Sequence, residues 1–352
     1  MVYIGLIVWI LLSSLLCFGN HLDVRKNRKL FVLLSFLYMC AIMSFRSVDV
    51  GVDTKSYQHI FELMCSTRIS DILAHFHTYS MEVGYALAMK LCSLISSNYY
   101  FFQIVFSIAF NILSAKFIFE ETDNIFVGVI VFLGIGIYAT SFNIARQMLA
   151  VMLVANSWTL LRKEKKITAI FCVLLASTFH ITALVFFAAY VVYFCRNNKF
   201  IIRIVPFVIL IGAISFNRIF PLITRYFSYY HNYYANEKVI QSAGKVWIIW
   251  LIVLLIAINI IYVVKQKNFE HSIAAIFSLV WIACNVIGLS FNYFERLGLY
   301  FIPFVPVMIS FYGKYLKNST IRRVYIGGTS IAFIAYFIIS MNSAQYIYTS
   351  FI

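Results

Sequence analysis

Apolar runs of roughly 15 to 20 residues recur from Met1 to Ile352, each long enough to cross a hydrocarbon core at about 1.5 Å per residue. A chain patterned in this way has almost no polar face to give to water. Of its 352 residues, 62% are apolar and 12% charged, with a mean hydropathy of +0.88; a soluble chain is about 25% charged. The expected fold is all-α, a polytopic transmembrane helical bundle of roughly 12 spans at about 20 residues per span, plus one re-entrant or interfacial helix. Residues 1–352 read as a single integral membrane domain. No repeat, low-complexity tract or Gly/Pro-rich linker divides them, and the 4 prolines leave few helix breakers. The opening run Val2–Phe18 lacks a basic n-region and a small-residue cleavage site, which makes it a first span rather than a signal peptide. The 7 cysteines are scattered and form neither a disulfide framework nor a zinc spacing, so no metal or cofactor is expected.

A net charge of +15 would suggest a nucleic-acid partner in a soluble protein, but here the basic residues crowd into short connections. His21–Lys29, Arg162–Lys166, Arg196–Arg203, Lys265–Lys267 and Lys314–Arg323 therefore face the cytoplasm, and no nucleic acid is implied. Loops 46–81 and 217–245, the turn near Ser141, the stretch before Arg296 and the C-terminal tail then face outward. The apolar run Ile167–Cys195 is too long for one span and has basic flanks on both sides. Two short helices meeting near Thr178, Phe179 and His180 satisfy that parity. Glu82–Ser96, Tyr99–Ile118 and Ile125–Thr140 are three runs between two outward connections, one too many. Glu82–Ser96, the shortest and interrupted by Lys90, is the re-entrant or interfacial helix.

Ionisable side chains inside or beside apolar runs are costly, and each is a functional candidate. The first group leaves the second run directly: Phe45-Arg46-Ser47-Val48-Asp49-Val50-Gly51-Val52-Asp53-Thr54. Gly51 permits a turn with positive φ, and Asp53 or Thr54 caps a helix whose Tyr57, Ile60, Phe61 and Met64 form one apolar stripe. In the bland reading, Arg46 snorkels and Asp53 is a cap only. The second group is Asn143-Ile144-Ala145-Arg146-Gln147, with Arg146 a turn inside an apolar helix near its outward N-terminus. Phosphate suits that position, and an ion pair with a carboxylate is the alternative. The third is His180, at the tip between two short helices, where an imidazole suits proton transfer, phosphate contact or a structural hydrogen bond. The fourth is Phe294-Glu295-Arg296, in which the carboxylate neutralises the arginine or leaves it for a ligand. Glu82, beside Gly84 and Tyr85, completes a set that parity brings to one face. Arginine forks bind phosphate there, and aromatic faces pack on sugar rings.

Arg46 with Gly51-Val52-Asp53-Thr54 and Tyr57, then Glu82-Val83-Gly84-Tyr85, Arg146-Gln147-Met148-Leu149-Ala150 and Ala176-Ser177-Thr178-Phe179-His180, resembles the EpsG family of Wzy-like polysaccharide polymerases in order and spacing. Arg296 with Pro303 and Pro306 is similar to the family's late arginine segment. The resemblance implies a glycosyltransferase at the outer face of the bacterial inner membrane. It would polymerise undecaprenyl-pyrophosphate-linked repeat units into O-antigen, capsule or exopolysaccharide. Its partners would be the lipid-linked donor and acceptor, the bilayer and a chain-length regulator, with no cofactor and no nucleotide sugar. Under this reading Arg146 and Arg296, with Arg46 and Tyr57, bind the departing pyrophosphate, while Asp53, Glu82 or His180 takes the acceptor's proton.

A flippase or transporter of the same lipid is the main rival, but its site is expected at the bilayer midplane, often between repeats. A membrane acyltransferase would need its histidine to reach a cytoplasmic donor.

Overall fold

The computed structural model describes residues 1–18, 24–75, 81–196, 198–224, 254, 257, 269–288 and 292–351. Among these residues every named element is helical, and the β structure is one isolated antiparallel bridge between Arg46 and Ser350. They gather into two compact units, Met1–Leu184 with Gly313–Ile352, and Val185–Tyr312.

The first unit is organised by α2 (Val24–Phe45) packed on α6 (Tyr99–Glu121). At one end Gln103 Nε2 donates to the carbonyls of Ser44 and Arg46, at 2.9 and 2.8 Å. At the other, Arg28 donates to the carbonyls of Thr122 and Asp123, at 2.8 and 3.1 Å. The two helices therefore run antiparallel, and the intervening segment 46–98 leaves and rejoins the pair at the same end. That segment holds α3 (Thr54–Ser66), α4 (Ile69–His75) and α5 (Val83–Ser93). With 11 residues α5 is about 16 Å long, half of a hydrocarbon core, as expected of a re-entrant or interfacial element. Lys90, the cation that interrupts its apolar run, is buried; its ammonium donates to the carbonyls of Met64 and Cys65 at 3.1 and 3.0 Å, capping the C-terminal end of α3.

The run after α6 is broken by Gly136, in the left-handed region at φ +97°, into α7 (Ile125–Gly134) and α8 (Ile137–Asn143), bent by 40°. The turn expected near Ser141 lies at Ile144 instead, because the break at Gly136 starts a second short helix that buries Ser141. Helix α9 (Ala145–Arg162) follows at once, so Arg146 stands in its first turn and not a turn deeper. Helix α10 (Lys166–Phe179) ends where His180 turns extended, at φ −159° and ψ 114°, and a 3-10 turn Ile181–Phe186 continues. The break in the long run falls at the expected residue.

Three described helices are long and apolar enough to cross a membrane: Lys26–Phe45, Tyr99–Glu121 and Ser319–Met341. The bent pair α7–α8 makes a fourth. The other described apolar helices, among them α1 (Val2–Phe18) and α10, are shorter. Against roughly 12 expected spans, the described helices establish three or four.

The second unit holds α11 (Phe187–Phe194), α12 (Lys199–Thr224), α13 (Phe269–Gly288), α14 (Asn292–Gly298) and most of α15 (Phe304–Tyr315, its last residues in the first unit); the rings of Phe186, Phe277, Phe301 and Phe304 pack together, and α12 meets α13 through Ala213, Ala283 and Ile287. Of the expected outward loop 217–245, residues Asn217–Thr224 belong to α12, and 225–245 lie outside the described residues, as does Lys265–Lys267. The chain closes with α16 (Ser319–Met341) and segment 343–351, both in the first unit.

One close approach sets the site. A Cβ on Gly84 would lie 2.3 Å from Thr178 Oγ1 and 2.7 Å from the Thr178 carbonyl oxygen, so α5 meets the end of α10 backbone to backbone. Gly84→Ala is expected to push the two apart, lowering stability by about 1–3 kcal/mol. A fall in the detergent-solubilised melting temperature together with reduced activity would register it; an unchanged melting temperature would refute the contact.

Candidate active site

Gly51 adopts φ +99°, and a Cβ there would sit 2.4 Å from the carbonyl oxygen of Phe142, so only glycine lets loop 46–53 press against the end of α8. Asn143 ties the loop down, accepting from Val52 N at 2.9 Å. Asp53 then occupies the N-cap position of α3, but its side chain makes no capping bond; its carbonyl accepts from Tyr57 N at 3.0 Å instead. The expected stripe is present, with Tyr57, Phe61 and Met64 buried and Ile60 half-buried. The stripe packs α3 against α5, with Tyr57 on Tyr85 at a ring-centroid distance of 5.6 Å.

This packing delivers Glu82, at the N-cap of α5, to Arg146 and His180. Arg146 Nη1 lies 2.6 Å from Glu82 Oε2, and His180 Nδ1 lies 2.7 Å from Glu82 Oε1. Ile181 N donates to the same Oε1 at 3.2 Å. The Tyr57 phenol lies within electrostatic reach of Arg146. Burial alone would raise the carboxyl of Glu82, but the His180 hydrogen bond and the charge of Arg146 outweigh it and hold it below its ordinary value. Burial, then the charge of Asp53, pushes the Tyr57 phenol up, so it stays protonated. An ionised carboxylate only accepts, which assigns an Nδ1 proton to His180. Nε2 bonds to no described residue. Side chains of the three residues retain 19% (Glu82), 27% (Arg146) and 15% (His180) of their exposure, enough to be reached from outside the helices.

Three residues that separate regions of the sequence supply, Glu82, Arg146 and His180, thus converge with Tyr57. The carboxylate alternative for Arg146 is also realised, with Glu82 as its partner. Arg46 lies elsewhere in the same unit, 2% exposed, its guanidinium 4.5 Å from the Phe142 ring centroid. Asp53 touches this cluster only through its backbone carbonyl on Tyr57 N, and its side chain forms no capping bond. Arg296 stands in the last turn of α14, in the second unit. Lys90, Gln103 and Tyr85 support the site; the sequence singled out the isolated charge of Lys90 and Tyr85 beside Glu82, and gave no signal for Gln103.

Arg28, Arg162, Lys163 and Lys314, from three of the basic connections, lie at the opposite end of the first unit. There Arg162 pairs with Glu121, Lys314 with Asp123, and Lys163 with Glu120 at 2.7 Å. Among the described residues no group of His, Cys, Asp and Glu is arranged to hold a metal.

The profile described as the EpsG family matches residues 29–352. The chain belongs to the EpsG family. It is a polysaccharide polymerase-like membrane protein, and the match spans every residue named in the site, from Arg46 to Arg296. No curated protein and no solved structure gives a significant match. The EpsG assignment therefore stands on the sequence pattern, to which the structure adds the Glu82–His180 and Glu82–Arg146 pairs.

Proposed function

We propose that this EpsG-family protein is a membrane glycosyltransferase that joins polyprenyl-pyrophosphate-linked oligosaccharide repeat units into a surface polysaccharide. The observation that carries the reading is the carboxylate–imidazole pair: Glu82 fixes the Nδ1–H tautomer of His180 and turns Nε2 outward as a base. In the reaction, Nε2 takes the proton of an acceptor hydroxyl as its oxygen attacks the donor's anomeric carbon. The bond from that carbon to the pyrophosphate oxygen breaks, and the electron pair leaves with the lipid pyrophosphate. Glu82 stabilises the imidazolium so formed. Arg146 and the Tyr57 hydroxyl face the charge that accumulates on the leaving group. No cofactor is called for, since the bond broken in the donor supplies the driving force. The site faces the outside of the bacterial inner membrane in this reading, where the basic loops orient the opposite end to the cytoplasm. A chain-length regulator is a partner to test by co-purification.

The surface glycan of a deletion strain tests the function. Loss of polymer with retention of a single repeat unit on its acceptor is expected, and Arg146→Ala is expected to reproduce it while still inserting in the membrane. Loss of every repeat unit would favour a flippase. Normal long-chain glycan in the Arg146→Ala strain would remove Arg146 from the site.

A further inference from the structure

The charge at the end of the first unit away from Glu82 does not balance. The described carboxylates there are each held by a cation: Glu121 by Arg162, Asp123 by Lys314, Glu120 by Lys163 at 2.7 Å and Glu164 by Lys166 at 3.1 Å. Arg28 is occupied by the carbonyls of Thr122 and Asp123. Lys29, Lys165, Lys317, Arg322 and Arg323 remain, all exposed, and their side chains make no ion pair or hydrogen bond among the described residues.

Exposed charges act together only within about 10 Å, and Lys317, Arg322 and Arg323 are the densest group, three cations in seven residues. Asn318 fixes their arrangement. Its Oδ1 accepts from Thr320 N and Ile321 N, at 2.8 and 3.2 Å, and starts α16 at that point. Both arginines therefore stand at the beginning of α16, where two of the helix's N–H donors are already used. What attracts an anion here is side-chain charge and not the helix end.

The surface beside the cations narrows the partner. Ile321 and Val324 flank the two arginines, and with Ile331 they form one exposed apolar face at helical spacing. Because α16 is long and apolar enough to cross a membrane, this face meets hydrocarbon and the arginines stand at its boundary. Lys29 repeats the pattern in α2, with exposed Leu33 and Leu37 one and two turns on. Lys165 repeats it at the start of α10, with exposed Ile167, Ile170 and Phe171. A soluble acidic polypeptide or a nucleic acid would match the charge and leave the apolar faces bare. A zwitterionic headgroup carries its own cation and neutralises none of the excess. A net anion joined to acyl chains matches both.

We propose that Lys317, Arg322 and Arg323 hold the headgroup of an anionic phospholipid, whose acyl chains lie along the Ile321–Val324–Ile331 face of α16. The site stands at the opposite end of the unit from Glu82 and does not depend on the polymerase reading. With the basic connections turned inward, its leaflet is the cytoplasmic one. Each cation beside an anionic headgroup contributes about fivefold in affinity.

The full chain, stripped of lipid in a neutral detergent, is titrated with phosphatidylglycerol and with phosphatidylcholine of the same acyl chains, and occupancy of the first lipid bound is read by native mass spectrometry. Phosphatidylglycerol is expected to bind at least about tenfold more tightly. In Lys317→Gln/Arg322→Gln/Arg323→Gln that preference is expected to fall by about tenfold or more, whereas Arg322→Lys/Arg323→Lys, which keeps the charge, retains most of it. Equal affinity of the wild type for the two lipids overturns the site, and so does a preference unchanged in the triple glutamine variant. Two competitors separate the sources of negative charge: glycerophosphoglycerol, the same phosphodiester without chains, and polyglutamate. Neither is expected to displace the lipid at equal concentration. Displacement by the first would make this a site for a free phosphodiester, displacement by the second a docking face for an acidic chain, and either overturns the lipid. If the triple variant fails to insert, the two lipids and the two competitors on the wild type decide.

Discussion

Replacing His180 with glutamine is expected to stop chain extension, slowing it by about 10² to 10⁴-fold, the range for loss of a positioned general base. Glutamine retains an N–H that can reach Glu82 Oε1, so the 2.7 Å contact and the fold around it are kept while the basic nitrogen is lost. The measurement is polymer formed by membranes supplied with a lipid-linked repeat unit, alongside binding of that substrate. Binding is expected to survive. Chain extension within threefold of wild type would remove His180 from the chemistry. Loss of binding in step with activity would make it a substrate contact instead.

Glu82→Gln is expected to cost a comparable amount, about 10² to 10⁴-fold, without touching the base itself. The amide presents a donor as readily as an acceptor, so it no longer dictates the Nδ1–H tautomer and gives no negative charge to an imidazolium. It also leaves Arg146 without its 2.6 Å partner, for a further stability loss of about 1–3 kcal/mol. Because the two residues act as one unit, the double variant Glu82→Gln/His180→Gln is expected to be no slower than either single one. Multiplied effects would show that the carboxylate and the imidazole work independently, with Glu82 then the stronger candidate for the base. An NMR spectrum of labelled His180 gives a second reading, since the tautomer should change in Glu82→Gln.

The parts of the site legible in the sequence were those governed by local rules. Positive φ at Gly51, a helix beginning at Thr54, its buried Tyr57–Phe61–Met64 stripe and the break at His180 all follow from periodicity and backbone preference. Loop charge and parity, which are global but simple, singled out Glu82–Ser96 as the odd run, and α5 there has 11 residues, short for a full crossing. Pairings were not legible. Glu82 and His180 are 98 positions apart, and whether both serve as bases or one orients the other depends on the backbone contact at Gly84, a tertiary fact. Asp53 shows the limit of local rules, since it holds the N-cap position without forming the side-chain bond that makes aspartate common there. Lys90 looked out of place for the right reason, though the carbonyls that accept from it belong to another helix.

The acid–base pairs far from the site bear on the reaction through the register of helix α9. Its last residue, Arg162, is held by the buried Glu121 of α6, while Arg146 in its first turn faces Glu82. The two arginines are about 24 Å apart along one rod. A slip of a single residue would move Arg146 by about 1.5 Å and swing it by about 100°, more than a reacting geometry tolerates. The opposite end of the bundle thus acts as a vernier, setting the angle and depth at which the Arg146 guanidinium is presented to Glu82 nearly a membrane's thickness away.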